Sequence, residues 1–125
     1  IEIRPRVVLA DDYQPMMVAM IRLLSLNCDI VGQVSTAAQL LKEALTHRPD
    51  VIVVDLYLED ENGIDACRQL KSANLDVKIV MVTAEDDPQI RSAALDAGVS
   101  VFVSKHMAYA QLLPAILRLC SSPTD

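Results

Sequence analysis

Short apolar runs alternate along this chain with longer segments in which apolar residues recur every three or four positions. A short unbroken apolar run predicts a buried strand, whereas the longer spacing predicts a helix with one apolar face. The pattern predicts five strands, at 7–10, 29–34, 51–54, 77–82 and 99–103. A helix is predicted after each strand, and the five begin near Gln14, Thr36, Gly63, Pro88 and Tyr109.

Details of the helical segments give further expectations. Ser35 or Thr36 is predicted to cap the second helix, and Gly98 to end the fourth. The inward stripe of the fourth helix is almost all alanine, which predicts the weakest packing of the five. Pro114 is expected to kink the fifth helix or to mark an early first turn. The predicted inward faces of the second and fifth helices include Leu45 and Tyr109, respectively.

Strict alternation of strands and helices predicts an α/β fold in which helices cover both faces of a parallel sheet. With right-handed connections, the expected architecture is a doubly wound, five-stranded sheet in the order 2-1-3-4-5. One domain over residues 6–120 accounts for nearly all of the 125 residues. This order makes the first and third strands neighbours.

Four of the predicted strands end next to residues suited to phosphate or metal chemistry. The first is followed by Asp11 and Asp12, the third by Asp55, the fourth by Thr83 and the fifth by Lys105. Because the carboxyl ends of parallel strands lie along one edge of a sheet, these side chains are predicted to converge. Any single Asp at a strand end is more often a turn or cap residue; it is the agreement of five positions that indicates a site.

Three carboxylates in one crevice repel one another unless a cation joins them. Mg²⁺ prefers oxygen ligands and leaves coordination positions for a phosphate group. Asp12 and Asp55 are the predicted direct ligands, and Asp11 is expected to act mainly through water. The main-chain carbonyl of Tyr57 is expected to complete the protein ligands of the Mg²⁺.

With the ion present, Asp55 is predicted to act as a nucleophile toward phosphorus, giving an aspartyl phosphate. Lys105 offers a positive charge to the phosphoryl oxygens, and the Thr83 hydroxyl offers a hydrogen bond. Ala84 is small enough for its backbone N–H to approach the same group. Asp55 is therefore interpreted as a phosphoacceptor.

Composition excludes several other classes of function. The net charge of −6 and the pI near 4.7 argue against nucleic-acid contact by this segment. Cys28, Cys67 and Cys120 are odd in number and widely spaced, which indicates reduced thiols. No apolar run reaches the ~18 residues of a membrane span, and a cytoplasmic protein is expected.

The ordered motifs resemble the receiver domain of bacterial two-component response regulators, from about Arg6 to Cys120. The segments that carry the resemblance are VVLADD at 7–12, PDVIVVDLYL at 49–58, NGID at 62–65, VTAEDD at 82–87, AG at 97–98 and VFVSK at 101–105. The stretch IVGQVS, and the lack of proline after Lys105, are most similar to receivers of LuxR-type helix-turn-helix regulators. Residues 121–125 are similar to the start of a linker to a DNA-binding output domain.

The resemblance implies that a histidine kinase or phosphotransfer protein supplies the phosphoryl group to Asp55. It also implies a regulatory domain that is not an enzyme, apart from catalysing its own phosphorylation and dephosphorylation. It implies docking of that partner around 14–17 and at His106-Met107. Thr83 and Phe102 are then expected to shift together and to change the surface formed by the fourth helix, fifth strand and fifth helix, with transcription as the output. A homodimer through that surface, or through the first and fifth helices, is a further expectation.

The sequence departs from the family pattern near the expected phosphorylation site. Glu59 stands where the family usually has proline, and the acidic stretch 59–61 is expected to be a solvated loop. Val101 stands where glycine is common. Tyr57 and Glu85 occupy the two variable positions that flank the site and tune reaction rates in such domains.

Two other functions remain open from the sequence. A Mg²⁺-dependent phosphohydrolase of the haloacid-dehalogenase type also combines a nucleophilic Asp, a hydroxyl and a Lys, but its D-x-D pattern is not found at Asp11-Asp12-Tyr13. A receiver-like interaction module that takes no phosphate is the second alternative. The presence of all five predicted site residues argues against that module.

Overall fold

Five parallel strands form one sheet in the order β2-β1-β3-β4-β5, which confirms the predicted topology. The computed structural model of the chain describes residues 4–121. The strands are β1 (Arg6–Ala10), β2 (Asp29–Val34), β3 (Val51–Val54), β4 (Lys78–Thr83) and β5 (Val101–Ser104). The helices are α1 (Gln14–Leu24), α2 (Ala37–His47), α3 (Gly63–Ser72), α4 (Pro88–Asp96) and α5 (Ala108–Cys120), and a 3₁₀ turn at Lys105–Met107 precedes α5.

The register of the strands brings their carboxyl ends to one edge. Ala10 pairs with Val54, the last residues of β1 and β3. Thr83 pairs with Ser104, the last residues of β4 and β5. Residues that directly follow β1, β3 and β5 therefore enter the same region, together with Thr83 at the end of β4.

Two apolar layers enclose the sheet. One lies under α2, α3 and α4 and includes Leu40, Ile52 and Met81. The other lies under α1 and α5 and includes Met20, Val53 and Leu112. All four residues of β3 are buried, as expected for a central strand covered by helices on both faces.

Helix boundaries follow the local sequence. Thr36, Asn62 and Asp87 each accept a backbone N–H of the helix that they precede, which confirms Thr36 as the cap of α2. Gly98 has a φ of 103° just after α4, a conformation that favours glycine, and so ends the helix as predicted. Within α4, Ala94 is the single buried side chain, in agreement with the expected weak packing.

Two predicted core positions were wrong. Leu45 is 44% exposed and Tyr109 is 87% exposed, because Ala44 and Ala108 occupy the inward positions of α2 and α5. The fifth strand begins at Val101, two residues later than predicted. The proline at position 114 does not mark a first turn, since α5 continues through it with the ring exposed to solvent.

The three cysteines are free thiols, with Cys28 and Cys67 buried and Cys120 half-buried. Burial raises the pKa of the Cys67 thiol to about 12, which keeps it protonated and unreactive. No helix among residues 4–121 combines the length and apolar character needed to cross a bilayer. Of the predicted linker, residues 122–125 lie outside the described residues.

The end of α1 offers a matched test of the core. Leu24 is fully buried, whereas Leu26, in the turn that follows, is 85% exposed. Leu24→Ala is expected to lower the free energy of unfolding by about 2–5 kcal/mol, since it removes buried methyl groups and leaves a cavity. Leu26→Ala is expected to change it by less than about 0.5 kcal/mol. Urea unfolding followed by circular dichroism measures both, and equal effects would contradict this packing.

Candidate functional site

Three carboxylates meet at the carboxyl edge of the sheet. Asp11 and Asp12 follow β1, and Asp55 follows β3. One carboxylate oxygen from each lies within 4.8 Å of the others. Asp11 and Asp55 are only 4% and 5% exposed, whereas Asp12 is exposed. The prediction that these three side chains converge is confirmed by their positions.

Backbone amides and one lysine hold the two buried carboxylates in place. The Tyr13 N–H donates to Asp11 Oδ1 at 2.8 Å, and the Leu56 N–H donates to Asp55 Oδ1 at 2.8 Å. Lys105 Nζ donates to Asp55 Oδ2 at 3.1 Å and lies 3.7 Å from Asp11 Oδ2. Lys105 therefore bridges the carboxylates of two neighbouring strands, as its position after β5 predicted.

The positive charge of Lys105 only partly offsets the free-energy cost of burying the charged carboxylates of Asp11 and Asp55. Burial raises the pKa of Asp11 above its ordinary value, although the hydrogen bond from the Tyr13 amide opposes part of this rise. Burial also raises the pKa of Asp55, and the nearby charge of Lys105 opposes that rise only in part. The charged site is therefore costly in the absence of a further cation.

Thr83 ends β4, the strand next to β3, and Ala84 follows it. Thr83 is 1% exposed, and its hydroxyl oxygen accepts the Glu85 N–H at 3.2 Å. That arrangement leaves the hydroxyl hydrogen available to donate. Ala84 is exposed at the start of the loop after β4. The Tyr57 hydroxyl donates to Glu85 Oε1 at 3.2 Å, so the two variable flanking positions form a bridge between the loops after β3 and β4.

The segment after Asp55 is a small hairpin, here called the 56–63 hairpin. Tyr57 and Asn62 face each other in an antiparallel bridge. The backbone bonds on either side of that bridge run from the Leu58 N–H to the Glu61 carbonyl and from the Gly63 N–H to the Leu56 carbonyl. Neither of these two bonds uses the Tyr57 carbonyl, whose role as a metal ligand stays a prediction.

Gly63, the last residue of this hairpin, lies directly against the backbone of Asp55. A Cβ atom at this position would lie 2.1 Å from the Asp55 carbonyl oxygen, a backbone atom with no room to move away. The sequence shows that Gly63 belongs to the NGID motif. It does not show how close Gly63 lies to Asp55, because that depends on the conformation of the hairpin. Only glycine fits here without displacing Asp55.

Phe102 lies on β5, half-buried, and packs against the apolar layer under α4. The guanidinium of Arg91, on α4, is 5.0 Å from the centre of the Phe102 ring. Arg91 also pairs with Asp86, three residues beyond Thr83. The predicted switch aromatic is thus connected through one arginine to the loop that borders the site, a link that the sequence did not indicate.

Comparison with known proteins assigns this architecture to a family. The sequence profile of the response regulator receiver domain matches residues 7–117. The chain belongs to the response regulator receiver family. A receiver domain is a regulatory module of two-component signalling rather than an enzyme with a separate substrate, and such domains bind Mg²⁺ at an acidic pocket.

Relatives of this receiver domain include two bacterial regulators. The response regulator MprA of Mycobacterium leprae is 32% identical over 114 residues, which cover 91% of this chain and 50% of MprA. MprA of Mycobacterium sp. (strain KMS) is 33% identical over 119 residues, covering 93% of this chain and 52% of that protein. The chain thus spans about half the length of these curated relatives.

Solved receiver structures share the same fold. The signal receiver domain of NarL from Mycobacterium tuberculosis has a TM-score of 0.88 and 28% identity, covering 94% of this chain and 96% of that one. A two-component response regulator of the LuxR family from Aurantimonas sp. SI85-9A1 has a TM-score of 0.88 and 26% identity, with coverage of 98% and 92%. These neighbours support the resemblance to LuxR-type receivers.

The cost of the buried Asp11 carboxylate predicts a pH-dependent effect of Asp11→Asn. The folded pKa of Asp11 is above its unfolded value, so the carboxylate lowers stability at pH values above the folded pKa. In metal-free buffer near pH 7, Asp11→Asn is expected to raise the free energy of unfolding. The gain should shrink as the pH falls toward about 4, where the wild-type carboxyl also becomes neutral. Urea unfolding across this pH range tests it, and a gain independent of pH would contradict it.

Gly63→Ala is expected to destabilise the protein strongly because the new methyl group meets backbone. The expected loss is about 3 kcal/mol or more in the free energy of unfolding, in the upper range of single substitutions. Gly32→Ala is the matched control, since its Cβ would meet only side chains, at 3.3 Å or more. Thermal and urea unfolding measure both variants. A Gly63→Ala protein as stable as the control would show that the hairpin can move away from Asp55.

Proposed function

We propose that this receiver domain is a phosphorylation switch in which Asp55 accepts a phosphoryl group from a histidine kinase in the presence of Mg²⁺. The observation that carries the proposal is the arrangement of the Asp55 carboxylate. It lies at the sheet edge beside two further carboxylates and is hydrogen-bonded to Lys105. A nucleophile, a metal-binding group and a cation for the phosphoryl oxygens are thus within contact distance of one another.

The donor set fits a hard divalent cation. It consists of carboxylate oxygens from Asp11, Asp12 and Asp55, with the main-chain carbonyl of Tyr57 as a further proposed ligand. Their partial neutralisation by Lys105 alone leaves a net negative site. When bound, Mg²⁺ would supply charge compensation and orient the incoming phosphoryl group. Asp12, the exposed member, is the ligand most open to solvent.

In the proposed reaction an Asp55 oxygen attacks phosphorus of a phosphohistidine on the kinase or phosphotransfer protein. The new O–P bond forms as the P–N bond breaks, and the imidazole leaves with the bond's electron pair. Lys105 can then move from the carboxylate to a phosphoryl oxygen, since its ammonium is already adjacent to Asp55. The Thr83 hydroxyl and the Ala84 N–H are the proposed further donors.

The partner must reach the site from the loops around it. Gln14 and Pro15, at the start of α1, are exposed, as is His106, and Met107 is 44% exposed. Of the expected surface at 14–17, Met16 is half-buried and Met17 is buried in the core. The exposed residues border Asp12 and Lys105 in sequence. They form the proposed docking surface for the phosphotransfer partner, as the resemblance implied.

The proposed output passes through Thr83 and Phe102 to the surface of α4, β5 and α5. Thr83 follows Met81 on the same face of β4, and Met81 pairs with Phe102 across the strands. A shift of Thr83 toward the phosphoryl group therefore changes the packing next to the Phe102 ring. Shifting a two-state equilibrium from 1:99 to 99:1 requires a change of roughly 5.5 kcal/mol in the free-energy difference between the states. Several new hydrogen bonds to a charged phosphoryl group can supply a change of this size.

Control of transcription is the proposed output of the complete protein. The support is the similarity to a LuxR-family regulator and the length of the relatives, about twice that of this chain. DNA contact is assigned to a further domain, since this segment carries a net charge of −6. Homodimerisation through α4, β5 and α5, or through α1 and α5, stays a prediction.

Asp55→Asn tests the phosphoacceptor directly. Wild-type protein with acetyl phosphate and Mg²⁺ is expected to gain the mass of one phosphoryl group, and Asp55→Asn is expected to gain none, because the amide is not a nucleophile toward phosphorus. Beryllofluoride with Mg²⁺ should likewise change the amide NMR spectrum of the wild type alone. Intact-mass spectrometry and NMR provide the measurements.

Asp29→Asn is the matched control, since Asp29 begins β2 at the opposite end of the sheet and its carboxylate pairs with Arg4 at the surface. It is expected to take up phosphate like the wild type. An unchanged wild-type NMR spectrum with beryllofluoride and Mg²⁺ would instead favour an interaction module that takes no phosphate.

A further inference from the structure

The acidic stretch 59–61 forms the tip of the 56–63 hairpin and is attached to another helix. Asp60 Oδ1 accepts the Ala37 N–H at 2.7 Å, and Asp60 Oδ2 accepts the Ala38 N–H at 3.2 Å. These two amides begin α2, more than twenty residues earlier in the chain. Glu59 and Asp60 are exposed, as expected from sequence, and Glu61 is half-buried, but the tip is held in place rather than free in solvent.

A second pair of contacts supports the same attachment. The Glu59 N–H donates to the Ser35 carbonyl at 3.0 Å, and the Ser35 hydroxyl donates to Glu59 Oε2 at 3.3 Å. The hydrogen bond from the Ala37 amide lowers the pKa of Asp60, so its carboxylate is charged near neutral pH and suited to the positive end of the helix dipole.

Two residues, Thr36 and Asp60, cap the amino-terminal end of α2. Thr36, the local cap, accepts the Gln39 N–H with its side chain and the Leu40 N–H with its carbonyl. Asp60 accepts the two amides before them. The first turn of α2 therefore satisfies its donors only with the help of the hairpin. The hairpin tip is attached to α2 through Asp60 and also to α3, where Gln69 donates a hydrogen bond to Glu61.

We propose that Asp60 is a positioning residue for the cation site: by anchoring the hairpin tip on α2, it holds the Tyr57 carbonyl where a Mg²⁺ ligand is needed. Tyr57 lies on the arm of the hairpin between Asp55 and the tip, and its carbonyl is the one protein ligand supplied by a loop backbone rather than by a side chain next to the sheet. The position of a main-chain carbonyl depends directly on the conformation of the loop that carries it, so a well-placed ligand requires a well-held loop. The inference rests on the proposed function, because it presumes a divalent cation among Asp11, Asp12 and Asp55.

The test compares Mg²⁺ affinity, measured by calorimetric titration with MgCl₂, in the wild type and four variants. Asp60→Ala is expected to weaken binding about tenfold, the effect of losing a group that orients a ligand. Asp60→Asn keeps one acceptor oxygen for α2 and should fall between the wild type and Asp60→Ala. Since both substitutions remove the same charge, a difference between them reports the anchor and not the charge.

Two controls separate positioning from charge and from helix stability. Glu61→Gln removes a charge from the same tip but leaves the bonds to Ala37 and Ala38, and is expected to change the affinity less than about threefold. Thr36→Ala removes the other side-chain cap of α2, so it destabilises the helix without releasing the tip. It should lower thermal stability yet leave Mg²⁺ affinity near that of the wild type.

Amide hydrogen exchange provides a readout independent of the cation. In metal-free protein, Asp60→Ala should speed exchange of the Leu58 N–H, which bonds within the hairpin, and Thr36→Ala should not. Equal Mg²⁺ affinity in Asp60→Ala and the wild type would overturn the inference alone, as would an equal loss in Thr36→Ala. A wild type that binds no Mg²⁺ would overturn both the inference and the proposed function.

Discussion

The site depends on holding the buried carboxylates of Asp11 and Asp55 next to each other with a single ammonium between them. Carboxylates at this depth are costly unless they are paired and hydrogen-bonded. The backbone amides of Tyr13 and Leu56 and the charge of Lys105 offset only part of that cost, since both carboxyl pKa values remain raised. The protein therefore keeps an unfavourable arrangement that a cation would relieve, as is common where stability is given up for function.

The parallel sheet explains why such an arrangement persists. The residues before Asp11 and Asp55 belong to adjacent central strands that are buried on both faces. Their packing fixes the two Cα positions, so repulsion between the carboxylates cannot be relieved by moving the strands apart. The loops that follow the strands are more exposed, and they carry Asp12, Tyr57 and Glu85. The buried strands thus fix the two central carboxylates, and the more exposed loops supply the groups that surround them.

The strand order of the sheet and the convergence of the three aspartates could both be predicted from the sequence. Both follow from short-range patterns combined with a general rule, the parallel arrangement that places strand ends at one edge. The sequence-based prediction that Leu45 and Tyr109 lie in the core was wrong. Helical spacing allows a wide apolar stripe, and the smaller neighbouring alanines take the inward positions where helix and sheet approach closely. The roles of Gly63, Asp60 and Arg91 were also missed. Each depends on contacts between segments far apart in the chain, which no local pattern encodes.

The position of Lys105 suggests how one charge can serve two states of the protein. Its ammonium lies 3.1 Å from Asp55 and 3.7 Å from Asp11, and the side chain is 24% exposed. In this structure it pairs with a carboxylate oxygen of Asp55. In the proposed reaction the new negative charge would lie on the phosphoryl oxygens. A lysine on a flexible stem can follow this charge, whereas a planar guanidinium would be tied to one geometry. Because Lys105 directly follows β5, a movement of its side chain would act next to the strand that carries Phe102. The proposed electrostatic change and the proposed change of surface would then share one element.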